Sequence, residues 1–210
     1  LEFRRVLFRS IGDVPTGQAL LRSGARVGDD IYVSGQLGDA RLALEAFRGQ
    51  LSLPESVFKT CRARMEQPSP RVALGLALRG VASAAADISD GLLGDLGHIL
   101  RQSGGGARLQ LADCEALLGC RTQLSLEPRW VHTAVLSGGD DYELLFTARP
   151  TARRRLQAVR RQLGELPITR VGVVTRGSAV VLSTPSGDRD LPAGFEHFRQ
   201  NGALRHPGTD

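Results

Sequence analysis

Two acidic, glycine-containing segments hold the residues whose types and spacing could do chemistry. They are Ala86-Asp87-Ile88-Ser89-Asp90-Gly91-Leu92 and Ser137-Gly138-Gly139-Asp140-Asp141-Tyr142-Glu143-Leu144. Each sets carboxylates beside glycine where a helix or strand is due to begin. Such carboxylates are hard oxygen ligands, suited to magnesium and to the phosphates that travel with it. Taken singly, each segment also reads as a helix cap or a turn before a strand; two in one chain favour function. Asp90 would lie at the N-terminal end of a helix, where free N–H groups and the helix dipole favour an anion such as phosphate. Carboxylates and phosphate repel at that range, and a divalent cation between them removes the conflict. The chain has no G-x-x-x-x-G-K-[ST], so a P-loop does not supply the phosphate binding.

The elements that must position these segments read as alternating strands and helices. Ile31 to Gly35 predicts a strand, Ala40 to Phe47 a helix start, and Arg71 to Ala85 an Ala/Leu/Val-rich helix after the break at Pro68 and Pro70. The helix after the first acidic segment carries Leu92, Leu93, Leu96, Ile99 and Leu100 on one stripe, with Ser89 as its N-cap and Gly104 to Gly106 as its end. Arg108 to Leu111 predicts a strand, Arg129 to Leu136 a helix, Tyr142 to Thr147 a strand and Thr151 to Leu163 an amphipathic helix. Arg170 to Thr175 and Ala179 to Ser183 predict a hairpin turning at Arg176-Gly177-Ser178. The fold class is α+β.

Composition excludes more than it names. The net charge of +5 comes almost wholly from arginine, with Lys59 the one lysine, and aromatics make up 5%. The densest basic run, Arg153 to Arg155 with Arg160 and Arg161, has no aromatic neighbours for base stacking and reads as a solvated helix face, not a nucleic-acid surface. Cys61, Cys114 and Cys120 form an odd set without C-x-x-C spacing, which argues against zinc and fits a reducing, cytoplasmic compartment. His98, His132, His197 and His206 are scattered, so no histidine-based site is expected. No apolar run reaches the ~20 residues of a membrane span. The opening LEFRRVLFRS (1–10) reads as linker or cloning-derived sequence; leaving it out lowers the charge to +3.

Several blocks, in order along the chain, resemble the thiamine-monophosphate kinase family. They are Leu20 to Gly35, Leu37-Gly38-Asp39-Ala40, Pro68-Ser69-Pro70-Arg71, Asp87 to Leu92 with Asp95 to Ile99, Gly138 to Leu144, and Gly194-Phe195-Glu196-His197-Phe198. The resemblance implies a C-terminal α+β domain of the aminoimidazole-ribonucleotide synthetase-like superfamily, a mixed sheet with packed helices. It implies an organisation in which 11–28 ends an N-terminal domain and its connection, 29–198 is the C-terminal domain, and 199–210 is a frayed tail. Most of an N-terminal, dimer-forming ATP-binding domain would then lie outside the chain, and the chain alone would be inactive.

The activity implied is magnesium-dependent transfer of the γ-phosphoryl of ATP to thiamine monophosphate, giving thiamine diphosphate in a homodimeric enzyme. By the same resemblance Asp87 and Asp90 are magnesium ligands, Arg22 and Ser89 contact ATP, and Asp140 and Phe195 contact the thiamine portion. The family usually has Glu where Asp140 stands, so the reach is one methylene shorter. No catalytic base is assigned. The acceptor phosphate oxygen is already anionic, and positioning with charge neutralisation is the expected mode of phosphoryl transfer. The alternatives are another ATP-dependent enzyme of the superfamily and a non-catalytic ligand-binding module.

Overall fold

Alternation along the central strands divides the interior into two cores. In β1 (Asp30–Ser34), Ile31 and Val33 point to one face of the sheet and Tyr32 to the other. In β2 (Ala82–Asp87), Ala84 and Ala86 oppose Ala85, and in β4 (Leu144–Ala148), Leu145 opposes Phe146. This period of two requires both faces to be covered by apolar elements. The computed structural model describes residues 13–191. The boundaries expected at 1–10 and 199–210, and Phe195, lie outside the described residues.

Among the described residues the sheet has seven strands in the order β2-β4-β1-β5-β3-β6-β7, with β3 (Gly106–Gln110), β5 (Ile168–Thr175), β6 (Val180–Thr184) and β7 (Gly187–Leu191). Pairing is antiparallel except between β3 and β6. The larger core takes in α1 (Asp39–Phe47), α2 (Glu55–Glu66), α4 (Leu92–Ser103), α5 (Leu111–Glu115) and α6 (Pro128–Ser137). The smaller is built from α3 (Val72–Ala77) and α7 (Arg153–Gln162) against Tyr32 and Phe146, whose rings stack at 5.3 Å. The mixed sheet with packed helices is the expected α+β architecture. No helix among the described residues is long and apolar enough to cross a membrane.

Three expectations fail, each for a physical reason. The helix expected from Arg71 to Ala85 stops at Ala77, and Ala82 to Ala86 belongs to β2, an edge strand bonded to β4. Alanine is the best helix former, yet sheet pairing and burial override propensity. Ala85 N–H also donates to the Leu21 carbonyl at 2.8 Å, so the outer edge of β2 is partly covered. β5 and β6 run antiparallel but are not neighbours, because β3 lies between them, antiparallel to β5 and parallel to β6. The turn signal at Arg176 to Ser178 fixes the reversal of direction, not the width of the gap; the adjacent hairpin is β6–β7. Finally, Ser89 is not the N-cap of α4. Gly91 holds that position at φ 103°, and Gly104 closes the helix at φ 72°.

Candidate functional site

The two acidic segments are the continuation of one strand pair. The β2–β4 ladder brings Asp87 opposite Leu144, and the bonding runs on past the strand ends. Ile88 N–H donates to the Glu143 carbonyl at 2.8 Å, Tyr142 N–H to Ile88 at 3.0 Å, and Asp140 N–H to Ser89 at 3.1 Å. The approach is close enough that a Cβ at Gly139 would overlap the Ser89 carbonyl oxygen, so the second glycine of its pair is a steric requirement. Asp140 and Tyr142 adopt left-handed φ values of 66° and 52°. Such conformations cost roughly 1–2 kcal/mol per non-glycine residue, which the ladder must offset. Their effect is an alternation: Asp140 and Tyr142 stand exposed, while Asp141 and Glu143 turn inward.

The exposed rim is a field of uncompensated negative charge. Asp87, Asp90 and Asp140 all reach solvent, and none has an ion-pair partner among the described residues. Tyr142 Oη donates to Asp140 Oδ1 at 3.3 Å. Its hydroxyl is harder to ionise than usual, first through burial, then through Asp140, with Asp87 and Asp90 adding to the effect. Asp140 alone bonds that hydroxyl; Asp87 and Asp90 act on it through their charge. The three carboxylates are hard oxygen donors of the kind a divalent cation takes, but their ligand atoms are not gathered within 4.8 Å of one another.

Asp95 replaces the expected cap. It is buried on the first turn of α4, and its Oδ2 accepts the N–H groups of Ser89 and Asp90, each at 3.0 Å. Burial, with the charges of Asp90 and Asp87, pushes its carboxyl above the ordinary value despite those bonds. Asp95 thus fixes the backbone that presents Ser89 and Asp90. Asp90, Asp95 and His98 also bring one ligand-type atom each within 4.8 Å of one another, so the histidines are not all remote from the acidic turn. His98 Nδ1 is meanwhile engaged by Arg101 Nη2 at 2.8 Å.

Beneath the second segment, the inward carboxylates are tied to the scaffold. Glu143 accepts Arg71 Nε at 2.6 Å, Arg71 Nη2 at 2.5 Å and Ser34 Oγ at 2.6 Å. Asp141 accepts the Gly38 N–H at 2.9 Å; burial pushes its carboxyl up to about 7, with Asp39 adding to the shift and Arg64 opposing it. Next to the rim opens a cleft of about 360 Å³, lined by Ser89, Asp90, Gly139 and Asp140 and by Arg41 and Leu44 of α1 with its C-cap Arg48.

Of the residues expected at the site, Asp87, Ser89, Asp90 and Asp140 are brought together. Arg22 is placed through its backbone: its carbonyl accepts from Ser103 Oγ at 3.4 Å, and the adjacent Leu21 carbonyl accepts the Ala85 N–H at 2.8 Å, two residues before Asp87 on β2. Sequence reasoning passed over Arg41, Arg48, Tyr142 and Asp95. Tyr142 was legible in its motif; the arginines were hidden among many.

Residues 26–184 match the family described as AIR synthase related protein, C-terminal domain. The chain is 42% identical over 167 residues to the thiamine-monophosphate kinase of Escherichia coli K12, covering 78% of this chain and 50% of that protein. The crystal structure of thiamine-monophosphate kinase from Stenotrophomonas maltophilia K279a is similar at 41% identity and TM-score 0.72, over 80% of this chain and 54% of that one. A structure of AaThiL complexed with AMPPCP and TMP is similar at 30% identity and TM-score 0.64, over 85% and 54% of the two chains. The chain spans about half the length of the curated relatives it matches.

Proposed function

Since the chain belongs to the AIR synthase related protein family as its C-terminal domain, we propose that it is the C-terminal part of a thiamine-monophosphate kinase. The intact enzyme would transfer the γ-phosphoryl of ATP to thiamine monophosphate, giving thiamine diphosphate. The observation that carries this reading is the joining of the two acidic segments into one rim of three exposed carboxylates that make no ion pair among the described residues. The likeness to kinases of that name over most of the chain gives the acceptor.

In this reading Asp87 and Asp90 hold magnesium, which when bound neutralises phosphate charge. Ser89, held by the Asp95 cap, presents its hydroxyl to the nucleotide. Arg22, whose neighbour Leu21 bonds Ala85, would reach the nucleotide from the outer edge of β2. Asp140, oriented by its left-handed backbone and by Tyr142 Oη, faces the thiamine portion. Phe195, outside the described residues, completes that contact. Proton abstraction is unnecessary, because the attacking phosphate oxygen is already ionised. The N-terminal domain, the homodimer and a cytoplasmic location belong to the same proposal; the free buried thiols of Cys61, Cys114 and Cys120 suit a reducing compartment.

The test is formation of thiamine diphosphate from thiamine monophosphate, ATP and magnesium by the intact protein that contains this chain. Asp90→Asn is expected to lower kcat by about 100-fold, the scale of losing one charge-stabilising group, with the fold unchanged. An intact protein that ignores thiamine monophosphate would move the assignment to another enzyme of the superfamily.

A further inference from the structure

The cleft beside the rim has walls of opposite charge. One carries the carboxylates of Asp90 and Asp140; the other is formed by Arg41 and Leu44 of α1 with Arg48, its C-cap, at helical spacing. α1 lies hard against the second acidic segment: a Cβ at Gly138 would sit 2.8 Å from the Arg41 Cβ. A Cβ there would also overlap the Ala134 carbonyl oxygen, so the first glycine of the pair is required by α6 as well as by the approach of Arg41.

The bland account of these arginines is that they serve Glu45, and it is incomplete. Glu45 Oε1 accepts both Arg41 Nε at 2.7 Å and Arg48 Nη1 at 3.1 Å. One buried carboxylate therefore faces two guanidiniums and leaves one positive charge over. Arg41, with a side chain only 15% exposed, engages Glu45 through Nε alone, and its two Nη groups have no acceptor among the described residues. A partly buried, pre-oriented pair of N–H donors is suited to bidentate contact with a phosphate. A simple anion would suffer from the carboxylates opposite, and a simple cation from the arginines. The occupant that satisfies both walls carries a phosphate on one side and positive charge, its own or a bound divalent cation's, on the other.

We propose that Arg41 and Arg48 form a phosphate subsite in this cleft, and, resting on the kinase reading above, that the phosphate is the acceptor's monoester. Arg41 is the principal contact, and Glu45 holds both guanidiniums in place.

The probe is inorganic pyrophosphate with magnesium, titrated calorimetrically into the full chain, with Arg41→Gln, Arg48→Gln and Arg41→Lys compared and thermal melts recorded for each. Each Gln variant is expected to weaken binding roughly tenfold, the scale of one charge-assisted hydrogen bond, and Arg41→Lys to weaken it less. Because Arg48 is more exposed, its variant keeps the test open if Arg41→Gln misfolds. Wild-type chain that fails to bind the probe, or variants that bind it unchanged, overturn the subsite. Displacement of bound probe by thiamine monophosphate but not by thiamine assigns the phosphate to the acceptor. Displacement by AMPPCP alone keeps the subsite, gives it to the nucleotide and removes the acceptor assignment.

Discussion

Asp30 and the rim carboxylates belong to the same sheet and meet opposite fates. Asp30, at the start of β1, is 1% exposed and surrounded by donors: Arg153 Nε at 2.7 Å, Arg170 Nε at 2.5 Å and Tyr32 Oη at 3.2 Å. Burial alone would raise its pKa, but the hydrogen bonds and charges of Arg153 and Arg170 outweigh it and hold the carboxyl below its ordinary value. Asp87 ends β2, Asp90 and Asp140 lie beyond the ends of β2 and β4, and none of the three makes an ion pair among the described residues, although the chain is rich in arginine. A buried carboxylate without partners would be expelled or protonated. An exposed one can stay charged, and the sheet uses the alternation at Asp140 to Glu143 to keep both kinds side by side. The difference separates acids committed to the fold from acids available to a ligand.

Removing a committed acid should cost most. Glu143→Gln leaves Arg71 without its counter-ion beneath the second segment, and Arg71 is only 20% exposed. Breaking such a pair from one side is expected to destabilise by about 3 kcal/mol, measurable by urea denaturation. A change below about 0.5 kcal/mol would mean that Glu143 is not a structural acid. Gly139→Ala should come next. Its new Cβ overlaps the Ser89 carbonyl, so the segments must part or strain, at a cost of about 2 kcal/mol. The same variant should lose magnesium affinity although it removes no carboxylate.

Asp141 sharpens the comparison, because it is buried like Asp30 but has no arginine of its own. Its carboxyl titrates near 7 in the fold, above the ordinary 3.8, so the native state holds a proton that the unfolded chain has released. Stability should therefore fall as pH rises from about 4 to 7 and level off above that. Gly38 and Ala40 N–H groups, Asp39 and Arg64 are the groups that face it. Asp141→Asn keeps the acceptor for Gly38 and removes the charge. It should match wild type at pH 4 and exceed it at pH 8 by on the order of 2 kcal/mol, less than the full shift would give, because an amide buries new N–H groups. Part of the slope should survive in the variant, since Asp95 is shifted in the same direction. Equal pH profiles for the two proteins would place the titration elsewhere.

What the sequence showed follows from the range of the forces involved. The stripe of α4, the turns at Gly91 and Gly104 and the strand at Ile31 are set by neighbours a few residues away. The residue types at Asp87, Ser89, Asp90 and Asp140 announced their chemistry without saying that they meet; that depends on which strand pairs with β2, a long-range choice. Ala82 to Ala86 misled because alanine carries little pattern, and the position of β3 between β5 and β6 leaves no trace in the turn that precedes β6. Arg41 and Arg48 could not be told from the other arginines until α1 was placed against Gly138.

The smallest effect should come from the rim itself. Asp90 is exposed and makes no ion pair among the described residues, so Asp90→Asn removes nothing that the fold depends on, while easing repulsion with the buried Asp95. Stability without metal should change by less than about 0.5 kcal/mol. Magnesium should then part the two proteins. A ligand that binds only the folded state stabilises by RT ln(1 + [L]/Kd), so wild type should melt later as magnesium rises, and Asp90→Asn should not. A variant that melts early without magnesium would put Asp90 among the structural acids with Asp30. One that still gains stability from magnesium as wild type does would take the ion away from Asp90 and leave the rim without its proposed use.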